Sequence, residues 1–193
     1  MPSPAVLPPS GPAPSGPFPS APAPATARRP TPADDGGALV VHPDAAEEVP
    51  LTAGSAFRLL ADASGTHGAL GANRLLLAPG ADGARPHHHA RSTELFHVLA
   101  GRAAFLLGDR LVEVAAGGLV VVPPGLVHAF GAAPGTPADL FVVATPGVER
   151  FGYFRHLGRI AAGEEDFGTL HAHQDRYDVH FADPARWQEL RTV

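Results

Sequence analysis

The chain has 193 residues, no cysteine and a formal net charge of −5 at pH 7. Without cysteine there is no disulfide, thiolate metal site or thiol catalysis, and because all 14 basic residues are arginine, lysine Schiff-base chemistry is also excluded. The mild negative charge leaves no basic stripe for nucleic acid, and no apolar run has the length of a membrane span. The N-terminus lacks the basic and apolar regions of a secretory signal, so we expect a cytoplasmic protein.

Proline, alanine, serine and glycine dominate residues 1–36, which contain few large apolar side chains. Proline at this density removes hydrogen-bond donors, and this predicts a disordered Pro/Ala-rich tail. The rest of the chain is long enough for one domain with a hydrophobic core. The sequence therefore predicts three segments: the tail (1–36), a β-barrel (37–146) and a C-terminal helical extension packed on the barrel (147–193).

Short β-rich runs punctuated by glycine, proline and aspartate follow the tail, a pattern typical of an all-β sandwich or barrel. Ala100-Gly101 and Gly108-Asp109 are predicted to be tight hairpin turns. Leu119–Val122 is apolar on both faces, which indicates cover by a second sheet or another subunit; with the predicted strand Leu39–His42, it favours a homodimer. The predicted strands are Leu39–His42, Ala56–Ala61, Arg74–Ala78, Glu94–Leu99, Arg102–Leu107, Leu111–Val114, Leu119–Val122, Val127–Phe130 and Leu140–Ala144.

The periodicity changes after Gly147. Apolar residues at helical spacing predict a helix over Glu149–Ile160, and a weaker pattern predicts a second helix over Glu164–Arg176. A third, short helix is expected to begin at Pro184, with Asp183 as its N-cap. We expect this helical extension to pack across one side or mouth of the barrel.

Four residues carry the strongest chemical signal: His87, His89, Glu94 and His128. Imidazole and carboxylate groups are ligands for divalent transition metals. His87 and His89 occupy alternate positions, which share one face of a β-strand. Glu94 and His128 are predicted on two further strands. The set therefore predicts one metal ion inside a barrel, and its identity (Fe, Mn, Ni, Co, Cu or Zn) is left open.

Two motifs surround these ligands, Pro86–Gly101 and Gly117–Phe130, and with them the sequence resembles the cupin family. His87, His89, Glu94 and Gly101 match the first cupin motif, and Gly117, Pro123, Gly125 and His128 match the second. Two positions depart from the family pattern: Ala81 replaces its opening glycine and Ala132 its closing asparagine. The resemblance implies a single jelly-roll barrel whose metal is held by the same four residues.

The other histidines in and near the motifs are expected to lie outside the site. His88 falls between two inward-facing residues, and His97 has the opposite strand parity to Glu94, so both should face outward. His171 and His173 lie in a predicted helix, where their spacing turns the rings apart. Two aromatic residues, Phe96 and Phe130, share the parity of the ligands; they either line an apolar substrate pocket or pack in the core.

The spacing before Glu94 and the run from Glu94 to Gly101 are similar to single-domain cupins that resemble quercetin 2,3-dioxygenase. That resemblance implies a dioxygenase that cleaves a flavonol or enol with O₂, with Glu94 as both metal ligand and general base. Two alternatives stay open. One is a non-catalytic small-molecule-binding or accessory cupin, and the other is a metal-dependent isomerase or lyase. The expected partners are a small-molecule substrate and O₂, without nucleic acid or membrane.

Overall fold

A computed structural model describes residues 37–191, so the predicted tail lies outside the described residues. Ten antiparallel strands dominate it, and three short helices lie after the ninth strand: α1 (Phe151–Ala161), α2 (Gln174–Tyr177) and α3 (Ala185–Arg191). None of the helices in residues 37–191 is long and apolar enough to cross a membrane. The strands are β1 (Glu47–Pro50), β2 (Ala56–Ala61), β3 (Gly71–Leu77), β4 (Asp82–His88), β5 (Thr93–Leu107), β6 (Arg110–Ala115), β7 (Leu119–Val122), β8 (His128–Ala132), β9 (Ala138–Thr145) and β10 (His180–Phe181).

The long strand β5 belongs to both faces of the fold. Its first half pairs with β7 and β9, and its second half pairs with β6 and β8. Further strands extend each face, in the order β9-β3-β2-β1 on one side and β8-β4-β10 on the other. The sheet therefore curls into a jelly-roll, which confirms the predicted all-β fold class.

Alternation along the strands builds the hydrophobic core. In β5, Phe96 and Val98 are fully buried, whereas Leu99 is 44% exposed where the strand changes partners. Helix α1 closes one side of the barrel, since the ring of Phe154 lies 4.6 Å from that of Phe57. Burying a phenylalanine of this kind stabilises the fold by about 1.5–3 kcal/mol. The core thus holds the ligand-bearing strands and α1 together.

Two predicted details of the strands are wrong. Leu39–His42 forms no strand, and Val40 is 50% exposed; the first strand is instead β1, where Val49 is buried against β2. β-branched residues favour strands, but a strand also needs a partner, and this segment has none among the described residues. The chain also makes no hairpin at Ala100-Gly101.

Gly101 is a bend within β5. Its φ is +72°, and a Cβ atom there would lie 1.8 Å from the carbonyl oxygen of Pro137, so only glycine fits. The bend lets one strand pass from one face of the jelly-roll to the other. By contrast, Gly108-Asp109 forms the predicted turn between β5 and β6.

The region after Gly147 contains the first and third predicted helices, α1 and α3. Asp183 Oδ1 accepts a hydrogen bond from the Ala185 backbone N–H at 2.9 Å, as its predicted N-cap role requires. The second predicted helix, Glu164–Arg176, is wrong. After a left-handed Gly163, the chain instead forms a 3₁₀ helix over Phe167–His173 and the single turn α2.

Besides α1, two further parts of this C-terminal region, α3 and β10, contact the barrel. Trp187 of α3 is 2% exposed and packs against Ala104, Leu106 and Ala129. Strand β10 pairs with β4, with Phe181 opposite His87. The second contact brings the C-terminal region to the strand that carries the first predicted ligand.

Candidate metal centre

The four predicted ligands meet inside the barrel. Each offers a ligating atom within 4.8 Å of the others, and all four side chains are buried. His87 lies on β4 and His89 directly follows that strand, whereas Glu94 is on β5 and His128 on β8. Although β4 contains Pro86 and was not among the predicted strands, it is paired with β8 on one side and β10 on the other.

Backbone carbonyls fix the orientation of all three imidazoles. Nδ1 of His87 lies 2.8 Å from the Arg85 carbonyl, and Nδ1 of His128 lies 3.0 Å from that of Leu126. Nδ1 of His89 lies 2.5 Å from the Asp178 carbonyl. A carbonyl only accepts, so each Nδ1 carries the proton, and each Nε2 presents a lone pair. This second hydrogen bond is typical of metal-ligating histidines.

The spacing of the ligating atoms fits a shared cation. Glu94 Oε2 lies 3.0 Å from Nε2 of His89 and 3.0 Å from Nε2 of His128. With both Nδ1 atoms protonated, these are contacts between acceptors, which need a proton or a metal ion between them. Two ligands at right angles, each about 2.1 Å from a metal ion, lie about 3.0 Å apart. The donor set therefore fits a transition metal such as those predicted.

Electrostatics favours the ligating forms of Glu94 and His87. Desolvation raises the pKa of Glu94, but the charges and hydrogen bonds of His89 and His128 outweigh it, and the pKa lies well below the usual range. Burial lowers the pKa of His87 well below its ordinary value, and His128 and His89 lower it further. An ionised Glu94 and a neutral His87 are the protonation states that metal binding requires.

Arg150, at the N-terminus of α1, was not predicted as a site residue. It is 7% exposed, and its Nη1 lies 3.4 Å from Glu94 Oε1. Its Nε donates to the Tyr177 carbonyl at 3.1 Å, and its backbone N–H donates to Asp62 at 2.7 Å. Nη2 also lies 2.9 Å from His89 Nδ1, which cannot be a hydrogen bond while that nitrogen is protonated. Arg150 therefore contacts Oε1 of Glu94, whereas Oε2 of the same carboxylate faces the histidines.

Asp178 ties the C-terminal region to the loop between His89 and Glu94. Its buried carboxylate accepts hydrogen bonds from the backbone N–H groups of Ala90 at 2.8 Å, Arg91 at 3.2 Å and Ser92 at 3.1 Å. Desolvation raises the pKa of Asp178, but these three bonds lower it to a net value below the ordinary one. Its carbonyl is the acceptor for His89. No local motif in the sequence indicated this role.

A largely apolar cavity of about 40 Å³ lies beside the ligands and includes His87, His89, Glu94 and Arg150 in its wall. A larger cleft of about 310 Å³ runs between the barrel and α1. The two spaces share several lining residues, among them His87 and Tyr153, so the cleft leads to the ligands. A cleft of this size falls in the range of small-molecule sites.

The two predicted pocket residues lie in different environments. Phe130 lines the inner cavity and is 6% exposed. Phe96 is fully buried behind it, with its ring 4.7 Å from that of Phe130 and 5.2 Å from that of Phe105. Phe96 therefore packs in the core.

The remaining histidines stand apart from the ligands. His88 stacks on His180 at 5.1 Å, and the Nδ1 of His97 lies 3.1 Å from the Gly118 carbonyl. His171 is exposed, and the ring of His173 lies 6.0 Å from that of Tyr177. None of these four residues joins the ligand group in residues 37–191.

Comparison with known proteins supports a cupin assignment. Residues 73–144 match the family Cupin_2, a cupin domain, and this range contains both motifs in full. No curated protein matches the sequence significantly. The family match and the jelly-roll with its four converging ligands support placing this barrel in the cupin superfamily.

Several solved structures are similar to the chain. The polyketide cyclase RemF from Streptomyces resistomycificus is 25% identical, over 55% of this chain and 78% of that chain, with a TM-score of 0.47. Pac13 from Streptomyces, a nucleoside dehydratase, is 16% identical over 54% and 78%, with a TM-score of 0.45. A cupin-superfamily sugar phosphate isomerase from Silicibacter pomeroyi is 21% identical over 55% and 74%, with a TM-score of 0.48.

Proposed function

We propose that this protein is a metal-dependent enzyme that acts on a small enol- or flavonol-type molecule, as a dioxygenase resembling quercetin 2,3-dioxygenase. The observation that carries the proposal is the position of the four ligands in the wall of an apolar cavity that continues into a 310 Å³ cleft. A substrate that enters through the cleft meets the ligand group at its inner end.

The metal ion would be held by His87, His89, Glu94 and His128, and when bound it would act as a Lewis acid for adjacent substrate oxygens and bring O₂ beside them. The protein supplies the rest of the environment. Apolar side chains of the cavity, such as Phe57 and Phe130, exclude water and hold a planar substrate body. The cleft accommodates the part of a flavonol that the inner cavity is too small to contain.

Glu94 is the proposed acceptor of the substrate hydroxyl proton. Its Oε1 faces Arg150 and its Oε2 faces the two histidines, so the carboxylate is held by partners that favour the charged form. A carboxylate stabilised in this way is a weak base, which restricts it to acidic hydroxyls such as those of enols and flavonols. This restriction supports an enol-type substrate over a simple alcohol.

O₂ uptake by the metal-loaded protein with a panel of flavonols, enols and catechols tests this function. We expect consumption with at least one of them. Glu94→Gln should reduce turnover by about 10²–10⁴-fold if metal content, measured in the same preparation, is retained. His88→Ala is the matched control, because His88 stacks on His180 outside the ligand group. Wild-type turnover by metal-loaded Glu94→Gln would eliminate the general-base role.

One observation favours a second candidate, a metal-dependent isomerase or lyase. Such chemistry needs an acid or base besides the metal ligands, and Tyr153 lines both the cavity and the cleft. Two other residues with suitable side chains are placed elsewhere: His97 contacts Gly118, and His156 contacts Thr169. Conversion of a substrate without O₂ consumption would favour this candidate. Tight binding of several enols without any turnover would favour the accessory or binding role.

A further inference from the structure

Asn73 is a buried polar residue on the inner face of the barrel. It lies on β3, is 7% exposed and lines the inner cavity beside Leu75 and Val142. Its side-chain amide makes no hydrogen bond to any described residue, although the neighbouring core positions of β3 are apolar. Since no fully buried polar side-chain atom of residues 37–191 lacks a partner, the Asn73 amide reaches the open space of the cavity, where a ligand or water can bind it.

Tyr153 is a second polar side chain on the cavity wall, and it is half-buried. It lies on α1 and lines both the inner cavity and the cleft, which places it where the two spaces join. Its ring is fixed by edge contacts with Phe154 at 5.6 Å and Tyr177 at 5.5 Å. Among residues 37–191, its hydroxyl has no hydrogen-bond partner. Burial raises the pKa of the Tyr153 phenol far above its ordinary value, so the group remains a hydrogen-bond donor at neutral pH.

Apart from the metal ligands and Arg150, whose guanidinium contacts Glu94 and the Tyr177 carbonyl, the surroundings of these two groups are apolar. Phe57, Phe154 and Leu157 line the cavity together with them. In such a wall, a carboxamide and a phenol determine the orientation of a bound ligand. A polar group of the ligand that is buried against any apolar part of the wall has no hydrogen-bond partner, which costs free energy. The four metal ligands cannot serve this purpose, since their polar atoms face one another.

We infer that Asn73 and Tyr153 form a second anchor, separate from the metal, which binds a hydroxyl or carbonyl oxygen of the substrate. The inference rests on the proposed function and narrows its substrate class. The substrate would carry a chelating oxygen pair at one end, an apolar or aromatic body, and at least one further oxygen away from that pair. Asn73 can donate and accept, whereas Tyr153 donates.

Binding of two flavonols to the metal-loaded protein tests the anchor. 3-Hydroxyflavone offers the chelating oxygens alone, and quercetin adds further hydroxyl groups to the same skeleton. Dissociation constants are measured by the absorbance shift of each flavonol for the wild type, Asn73→Leu and Tyr153→Phe. Leucine has the same number and branching of side-chain heavy atoms as asparagine, and phenylalanine removes only the hydroxyl. Tyr177→Phe is the control, because its side chain lines neither the cavity nor the cleft.

We expect the wild type to bind quercetin more tightly than 3-hydroxyflavone. Asn73→Leu and Tyr153→Phe should each weaken quercetin binding about 5- to 10-fold and change 3-hydroxyflavone binding less than about 2-fold. Tyr177→Phe should change neither. An equal loss for both flavonols would show a merely structural role and overturn the inference, as would a wild type without preference. If neither flavonol binds the metal-loaded wild type, the proposed function fails and the anchor fails with it.

Discussion

The barrel and the C-terminal region contribute to the same site in different ways. The barrel supplies all four candidate ligands, three from β4, β5 and β8 and His89 from the residue after β4, and these ligands follow a spacing that strand geometry explains. The C-terminal region supplies Arg150, Tyr153 and Asp178, which contact or surround the ligands and follow no such spacing. The ligand set is thus a local property of strands, whereas its support depends on tertiary packing. Variants in each region separate the two contributions.

The largest effect is expected from removing a barrel ligand. His128→Ala deletes a fully buried imidazole whose Nε2 faces Glu94 at 3.0 Å. Loss of a residue that only hydrogen-bonds to a metal ligand commonly lowers metal affinity by about 10–100-fold. Loss of a ligand itself should therefore lower the affinity by more than about 100-fold. Metal titration followed by calorimetry measures the affinity. His88→Ala should bind metal as the wild type does, and similar affinities for the two variants would contradict the ligand assignment.

The next effect concerns the support from the C-terminal region. Asp178→Ala leaves the backbone N–H groups of residues 90–92 without their acceptor, and the loop between His89 and Glu94 loses its tie. We expect the free energy of unfolding to fall by about 3 kcal/mol and metal affinity by about 10–100-fold. Denaturant unfolding and metal titration measure these changes.

Asp175→Ala is the matched control for this variant, since the Asp175 side chain is fully exposed. Its Oδ1 lies 3.8 Å from Nδ1 of His180, which is a long contact. It should change the unfolding free energy by less than about 0.5 kcal/mol. If Asp178→Ala were equally mild, the C-terminal region would not support the site through this residue.

A pH series gives a smaller effect on the same contact. The folded-state pKa of Asp178 lies below its ordinary value of 3.8, because three backbone N–H groups stabilise the carboxylate. Its contribution to stability is therefore complete above the unfolded pKa and is lost as the pH falls through the folded pKa. Unfolding free energies of wild type and Asp178→Asn, both with chelator, should differ at pH 7 and converge in acid. A difference that stays constant down to the lowest pH would refute this assignment.

The smallest effect on the site is expected from the outer face of β7. Leu119 is 57% and Val121 is 53% exposed, so no second sheet covers this face within the described residues. We propose that another copy of the chain covers it and forms the predicted homodimer. Light scattering at tens of micromolar should give a dimer for the wild type and a monomer for Leu119→Arg, with metal content unchanged in both. A monomeric wild type would overturn the proposal.

The ligands were predictable because each belongs to a short motif. His87 and His89 occupy alternate positions along the chain, and Gly101 and Gly125 have positive φ angles that favour glycine. Arg150 and Asp178 were not predictable, because they lie 56 residues from Glu94 and 88 residues from Ala90, respectively. Only the packing of the chain onto the barrel brings these charges to the ligands.

The errors in the strands have the same origin. Leu39–His42 has the composition of a strand but pairs with no strand among residues 37–191, whereas β1 has an unremarkable composition but pairs with β2. Gly101 follows an apolar run and looks like a turn, yet the chain continues through it because Pro137 and the neighbouring strands occupy the space around it. Composition identifies which segments favour strands, and pairing decides where strands form.

The central claim is that His87, His89, Glu94 and His128 together hold one transition-metal ion, and the metal content of the folded wild type tests it most directly. Wild type and His128→Ala are each loaded with a mixture of the candidate divalent metals, passed through a desalting column and measured by inductively coupled plasma mass spectrometry. We predict about one ion per chain for the wild type and a small fraction of that for His128→Ala. A folded wild type that retains no ion, or a variant that retains as much as the wild type, would contradict the account.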